Sequence, residues 1–142
     1  MFKRVLLPID LNEESSWKRA LPVAVAQCRA SGGKLHLVAV VPSFGSPLVA
    51  QQFPADYEKQ AGAQAKSALE EIAAKNVPKE IKTAVVVGHG TIYEEILKAA
   101  KAAKCDLIVM AAHRPALKDY LLGPNAARVV RHADCSVTVV RD

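Results

Sequence analysis

The stretch Asp106–Arg141, DLIVMAAHRPALKDYLLGPNAARVVRHADCSVTVVR, decides how the rest of the chain is read. An apolar run over Asp106–Ala112 stops at a polar segment, AHRP, and a second apolar run, SVTVV, closes the stretch. Short apolar runs bounded by turn residues have the pattern of buried strands. Between them, Gly123 and Pro124 open a segment with helical spacing, which places a helix over Asn125–His132 and the last strand over Ser136–Val140. In an open α/β sheet, ligands bind beyond the carboxyl ends of strands, and helix N-termini favour anions. AHRP and GPN together therefore mark the candidate site.

Upstream, the same alternation repeats. Lys3–Ile9 reads as a buried strand that stops at Asp10, with Pro8 near its end, where a missing N–H matters least. Asn12 or Ser15 can cap a following helix, which carries Trp17, Ala20, Leu21, Ala24 and Cys28 on one face. Pro22 falls inside that helix and is expected to bend it. Lys34–Val41 is a second strand, Ser43–Tyr57 a long loop rich in Pro, Gly, Ser and Gln, and Glu58–Asn76 a helix. Ile81–Val87 is a third strand and Gly88-His89-Gly90 a turn. Thr91 caps the helix Ile92–Ala103, with Glu94 at capping-box spacing. The order βαβαβαβαβ predicts one α/β domain over residues 1–142, with a parallel sheet covered on both faces by right-handed crossovers. Periodicity alone leaves the strand order open.

Composition bounds the function. A chain of 142 residues, 51% of them apolar and 23% charged, has the make-up of one soluble globular domain. No apolar run approaches the roughly 18 residues that span a bilayer, so no membrane partner is expected. The net charge of +5 is spread over several helix faces, which favours a solvated surface over a nucleic-acid patch. Cys28, Cys105 and Cys135 lack CxxC spacing, the pattern of reduced thiols in a cytoplasmic protein. The sequence contains no GxxxxGK[ST] loop, no GxGxxG after the first strand and no GxSxG elbow. The four histidines show no metal-ligand spacing, so neither a metal site nor a catalytic residue is assigned.

What remains is positional. Asp10, Val40, Gly88–Gly90 and Ala112-His113-Arg114 all fall at strand ends on one edge of the sheet. Asp10 can accept a hydrogen bond from a ribose hydroxyl or serve a local turn. Arg114 can pair with phosphate oxygens or remain solvated, and Gly123 can admit an anion or simply turn the chain. His113 is better placed for a structural hydrogen bond than for proton transfer. Cys105 and Cys135 begin neighbouring strands, which leaves thiol regulation as a minor reading beside inert core thiols.

These residues resemble the universal stress protein (UspA) superfamily over essentially the full length. LLPID matches the family's V-P-x-D segment, and AHRP followed by YLLG-x-NAA-x-VVRHA-x-CSV is most similar to the F/G branch of small, single-domain bacterial members. The resemblance implies a Rossmann-like (HUP-type), doubly wound sheet of five parallel strands in the order 3-2-1-4-5. It implies binding of ATP or another adenine nucleotide, with Mg as a candidate companion. Asp10 would lie on the ribose, with Pro8 and Ile9 beside it, and the backbone near Val40 on the adenine. The resemblance implies further nucleotide contacts from Met110, Ala112, His113, Arg114, Gly123, Pro124 and Asn125, around the family's phosphate loop G-x2-G-x9-G-[ST]. It also implies a homodimer through Ser136, Val137, Thr138, Val139 and Val140, and a regulator without enzymatic turnover beyond trace hydrolysis.

The chain departs from that loop at three places. Ala111 stands at the first glycine, Arg114 near the second, and Pro124 replaces the hydroxyl residue. Losing two donors to a charged group costs roughly 3–6 kcal/mol, at about 1.5–3 each. Weakened ATP binding with AMP or ADP retained is one expectation, and a nucleotide-free dimeric interaction module is the alternative.

Overall fold

The computed structural model describes residues 1–41, 56–112 and 123–141. The apolar runs form five strands: β1 (Arg4–Pro8), β2 (Lys34–Val41), β3 (Thr83–His89), β4 (Leu107–Ala111) and β5 (Ser136–Val140). Among the described residues, four α-helices lie between them: α1 (Ala20–Ser31), α2 (Tyr57–Asn76), α3 (Ile92–Ala102) and α4 (Pro124–His132). The strands pair in parallel in the order β3-β2-β1-β4-β5, as the resemblance implied. The loop expected over Ser43–Tyr57 lies outside the described residues except at its end, where Tyr57 begins α2.

Side chains of a strand alternate between faces, so β1 feeds two cores at once. Val5 and Leu7 join the cluster that α1 and α2 cover, with Leu35, Leu37, Leu69 and Val109. Leu6 joins the other cluster, with Val38, Ile108 and Met110 beneath Ile96, Ala100, Ala126 and Val129 of α3 and α4. The central strands β1 and β4 are therefore buried on both faces beyond Arg4, whereas edge strands β3 and β5 have no fully buried residue.

Three local expectations change. The first helix does not run from Asn12 or Ser15. A short 3-10 turn over Glu14–Ser16 precedes α1, whose N-terminal flank is Arg19 with no side-chain cap. Pro22 then falls in the first helical turn, where an N–H needs no intrahelical partner, and the expected bend has no cause. The third strand extends to His89, because Gly88 and His89 pair in register with Val40 and Val41. The turn is left to Gly90, at φ 141°, a conformation that favours glycine. Thr91 flanks α3 without a side-chain cap bond. The carboxylate that reaches back is Glu95, not Glu94: its Oε1 accepts the His89 N–H at 3.2 Å.

The join between β1 and β4 is set by Asp106. Its Oδ2 accepts the Lys3 N–H and its Oδ1 the Arg4 N–H, both at 3.0 Å, while its own N–H donates to Arg4 O at 2.9 Å. These bonds hold the register Val5↔Leu107 and Leu6↔Ile108. Burial opposes the charge on Asp106, but the two N–H donors outweigh it and keep the carboxyl below its ordinary value.

Candidate functional site

Strand order fixes where the site lies. β1 and β4 are adjacent in the sheet but far apart in the chain, and their connections leave on opposite sides, so a crevice opens beyond their carboxyl ends. Pro8 and Ile9 form its β1 wall; Ile9 is buried, and its N–H donates to Val38 O at 2.8 Å. Asp10 follows, exposed, in a turn closed by its own partners. The Asp10 N–H donates to Ser16 Oγ at 2.9 Å, and the Ser16 hydroxyl donates to Glu13 O at 2.7 Å. Asp10 Oδ1 accepts the Asn12 N–H at 2.9 Å. The local-turn role is thus realised, and Oδ2 has no partner among the described residues. One carboxylate oxygen at the rim is open to a hydroxyl donor.

From β2, Val40 packs in the same cluster as Met110 of β4 and Ala126 of α4, which brings three elements to one wall. Its register partner is Gly88, over which Glu95 lies: a Cβ at Gly88 would stand 2.9 Å from the Glu95 Cβ. Only glycine leaves room for that carboxylate side chain at the strand end. On β4, Met110 is buried, and the Ala112 N–H donates to Val140 O at 3.0 Å, so the strand's hydrogen bonding continues to the crevice.

The opposing wall is the start of α4. Gly123 is buried and extended, Pro124 takes the first helical position, and Gly123 O accepts the Ala127 N–H at 2.9 Å. Proline is favoured there because its φ suits the helix and its absent N–H is one that no carbonyl would meet. No side chain caps this helix, so the N–H groups of Asn125 and Ala126 remain its orphan donors. Ala111 pairs with Val140 inside β4 and does not belong to a loop. His113 and Arg114, the expected phosphate contacts, lie outside the described residues.

The structure therefore gathers Pro8, Ile9, Asp10, Val40, Met110, Ala112, Gly123, Pro124 and Asn125 around one sheet edge. Ser16 and Glu95 there, and Asp106 at the opposite, amino edge, carry structural work that the sequence reading missed. Capping-box spacing favoured Glu94 over Glu95, and no local signal marks a strand-entry aspartate as a clamp. Among the described residues, no group of three or more His, Cys, Asp or Glu side chains could hold a metal ion. All three cysteines are free thiols. Burial, followed by the nearby Cys135 and Asp106, pushes the Cys105 thiol up to about 11, well away from a reactive thiolate.

An open, doubly wound α/β sheet with a crevice at its switch point defines the broad class, and comparison with known proteins narrows it. The sequence profile described as the Universal stress protein family matches residues 1–141, and the chain belongs to that family. Universal stress protein G of Shigella flexneri is 28% identical over 144 aligned positions, covering 99% of this chain and 100% of that protein. The protein of the same name from Salmonella typhimurium is 29% identical over 146 positions, again covering 99% and 100%. Among solved structures, UspA from Lactobacillus plantarum superposes with a TM-score of 0.75 at 24% identity, covering 98% of this chain and 97% of that one. A universal stress protein in complex with cAMP superposes with a TM-score of 0.64 at 22% identity, covering 99% and 97%. These likenesses establish the fold.

Proposed function

We propose that the crevice binds an adenine nucleotide, ATP, ADP or AMP, and that the protein regulates a stress response by conformational or assembly control. Chemistry on the nucleotide is limited to trace hydrolysis. The observation that carries this reading is Asp10, an exposed carboxylate with one free oxygen held at the β1–β4 switch point by its own turn. A ribose hydroxyl donates to that oxygen, and the adenine lies along the end of β2 at Val40. The orphan N–H groups of Asn125 and Ala126 face the phosphates, with any Mg accompanying them. The cAMP complex of a relative with the same fold supports an adenine nucleotide as the ligand class. Titration calorimetry with the three nucleotides tests the proposal. Asp10→Asn should weaken binding at least tenfold, and the absence of heat at millimolar nucleotide would overturn the reading.

The second reading is a nucleotide-free dimeric module. It rests on Ala111 being a paired strand residue and on Pro124 withdrawing one donor from α4. The double change Ala111→Gly and Pro124→Ser separates the two: an inert wild type with a binding variant selects the module. On either reading the protomers pair through β5, an edge strand of alternating Ser136-Val137-Thr138-Val139-Val140 that needs a cover. No helix among the described residues is long and apolar enough to cross a membrane, and we assign the protein to the cytoplasm, where its three thiols stay reduced.

A further inference from the structure

A second concavity lies at the opposite, amino edge of the sheet, independent of the nucleotide crevice. The last turns of α3 and α4 and the entry to β4 and β5 line a groove of about 520 Å³ there. That volume is within the roughly 300–1,000 Å³ of small-molecule sites. Its floor is apolar: Leu97 and Ala100 from α3, Ile108 from β4, and the half-buried thiols Cys105 and Cys135. Burial holds both thiols in the neutral form, so they add to the apolar lining. The rim is cationic. Lys98, Lys101 and Lys104 are exposed, none is in an ion pair among the described residues, and Asp134 is the single carboxylate that lines the groove with them.

One backbone angle singles out this rim. Helices that turn back sharply into a strand end on a left-handed residue, usually glycine. α1 obeys: Gly32 has φ 67° and leads through Gly33 into β2. α3 makes the same turn into β4, with the Cys105 N–H donating to Ala100 O at 2.8 Å, but its left-handed residue is Lys104, at φ 55°. It is the one non-glycine residue with positive φ among the described residues, and a side chain is strained in that conformation. Attraction between a cation and the end of a helix explains Lys101, in the last turn of α3, but does not require a lysine where glycine is easier.

We propose that this groove binds a medium-chain fatty acid, its alkyl tail on the Leu97–Ala100–Ile108 floor and its carboxylate on Lys101 and Lys104. The occupant follows from the complement of the lining: an apolar bed accepts a tail, and three ammonium groups against one carboxylate select an anionic head. Strain at Lys104 is retained because its side chain supplies that head contact.

The two floor thiols provide the readout, with fully buried Cys28 as the internal reference. The full chain is alkylated with a small neutral reagent at mildly alkaline pH, and modification is followed at each cysteine by mass spectrometry. Decanoate below its micelle concentration should slow modification of Cys105 and Cys135 at least fivefold. Octanoate should need about sixteenfold more ligand, since each of the two missing methylenes contributes about fourfold. Decanol, with the same tail and no charge, should protect far less. Lys104→Gly should melt roughly 2–4 °C higher than wild type and yet lose most of the protection. Lys18→Glu, in the turn before α1 and outside the residues that line the groove, should leave protection unchanged. Unchanged alkylation with decanoate overturns the proposal, as does equal protection by decanol, or a Lys104→Gly variant protected like wild type.

Discussion

At the residue scale, two buried or clamped groups tie stability to pH. Asp106 holds β1 to β4 by accepting two backbone N–H groups, and its carboxyl is lowered despite the opposing effect of burial. A lowered carboxyl contributes stability above its ordinary value near 3.8, and loses it as pH falls further. Asp106→Asn should therefore melt lower than wild type at pH 7, with the difference closing below about pH 4 in a thermal-melt series. His36 has the other problem. Its Nε2 is buried with no hydrogen-bond partner among the described residues, and burial, then Lys34 and Arg4, lower its proton affinity. Protonation must then oppose folding, so stability present above pH 6.5 is lost as pH falls below it. His36→Val, β-branched and apolar in β2, should match or exceed wild-type stability in urea and flatten the slope between pH 5 and 7. A larger slope in the variant would contradict this account.

At the element scale, helix boundaries decide what a proline does. Read as an interior residue, Pro22 would cost about 3 kcal/mol against alanine. In the first turn of α1 it removes no helical bond. Pro22→Ala should thus change the unfolding free energy by less than about 1 kcal/mol, measured by urea denaturation, whereas a gain near 3 would restore the bent-helix picture. The boundary was illegible because Glu14–Ser16 has helical composition but is spent closing the Asp10 turn through Ser16. Strand β3 failed in the other direction. Gly88 and His89 look like turn residues by composition, yet pairing with Val40 and Val41 overrides that preference. The long, strongly patterned elements were read closely: β2 and β5 at their full bounds, α2 and α4 within one residue.

At the scale of the whole molecule, the central strands hold the fully buried residues and the edge strands do not. Leu37 lies in the middle of β2 with no exposed surface. Leu37→Ala should cost about 2–5 kcal/mol in chemical denaturation, because the cavity cannot collapse between a sheet and two helices. Among the described residues β5 pairs only with β4. If the proposed dimer forms through its open side, Thr138→Pro should shift the light-scattering mass from dimer to monomer while the far-ultraviolet circular dichroism persists. A dimer of unchanged mass would refute pairing through this strand.

The sequence by itself determined the alternation of five strands with four helices, the two-faced apolar core strands and the positions of Asp10 and Gly123 at element ends. These are legible because periodicity and turn chemistry are local, written within a few residues of one another. The strand order came from the family resemblance, since periodicity says which face of an element is apolar and not which element will meet it. Only the tertiary structure decided the rest. Asp106 reaches Lys3 across 103 positions of chain, and Lys104 meets Cys135 at one groove. Each of those contacts depends on the sheet bringing distant residues to the same edge, and no pattern in a short window carries that information.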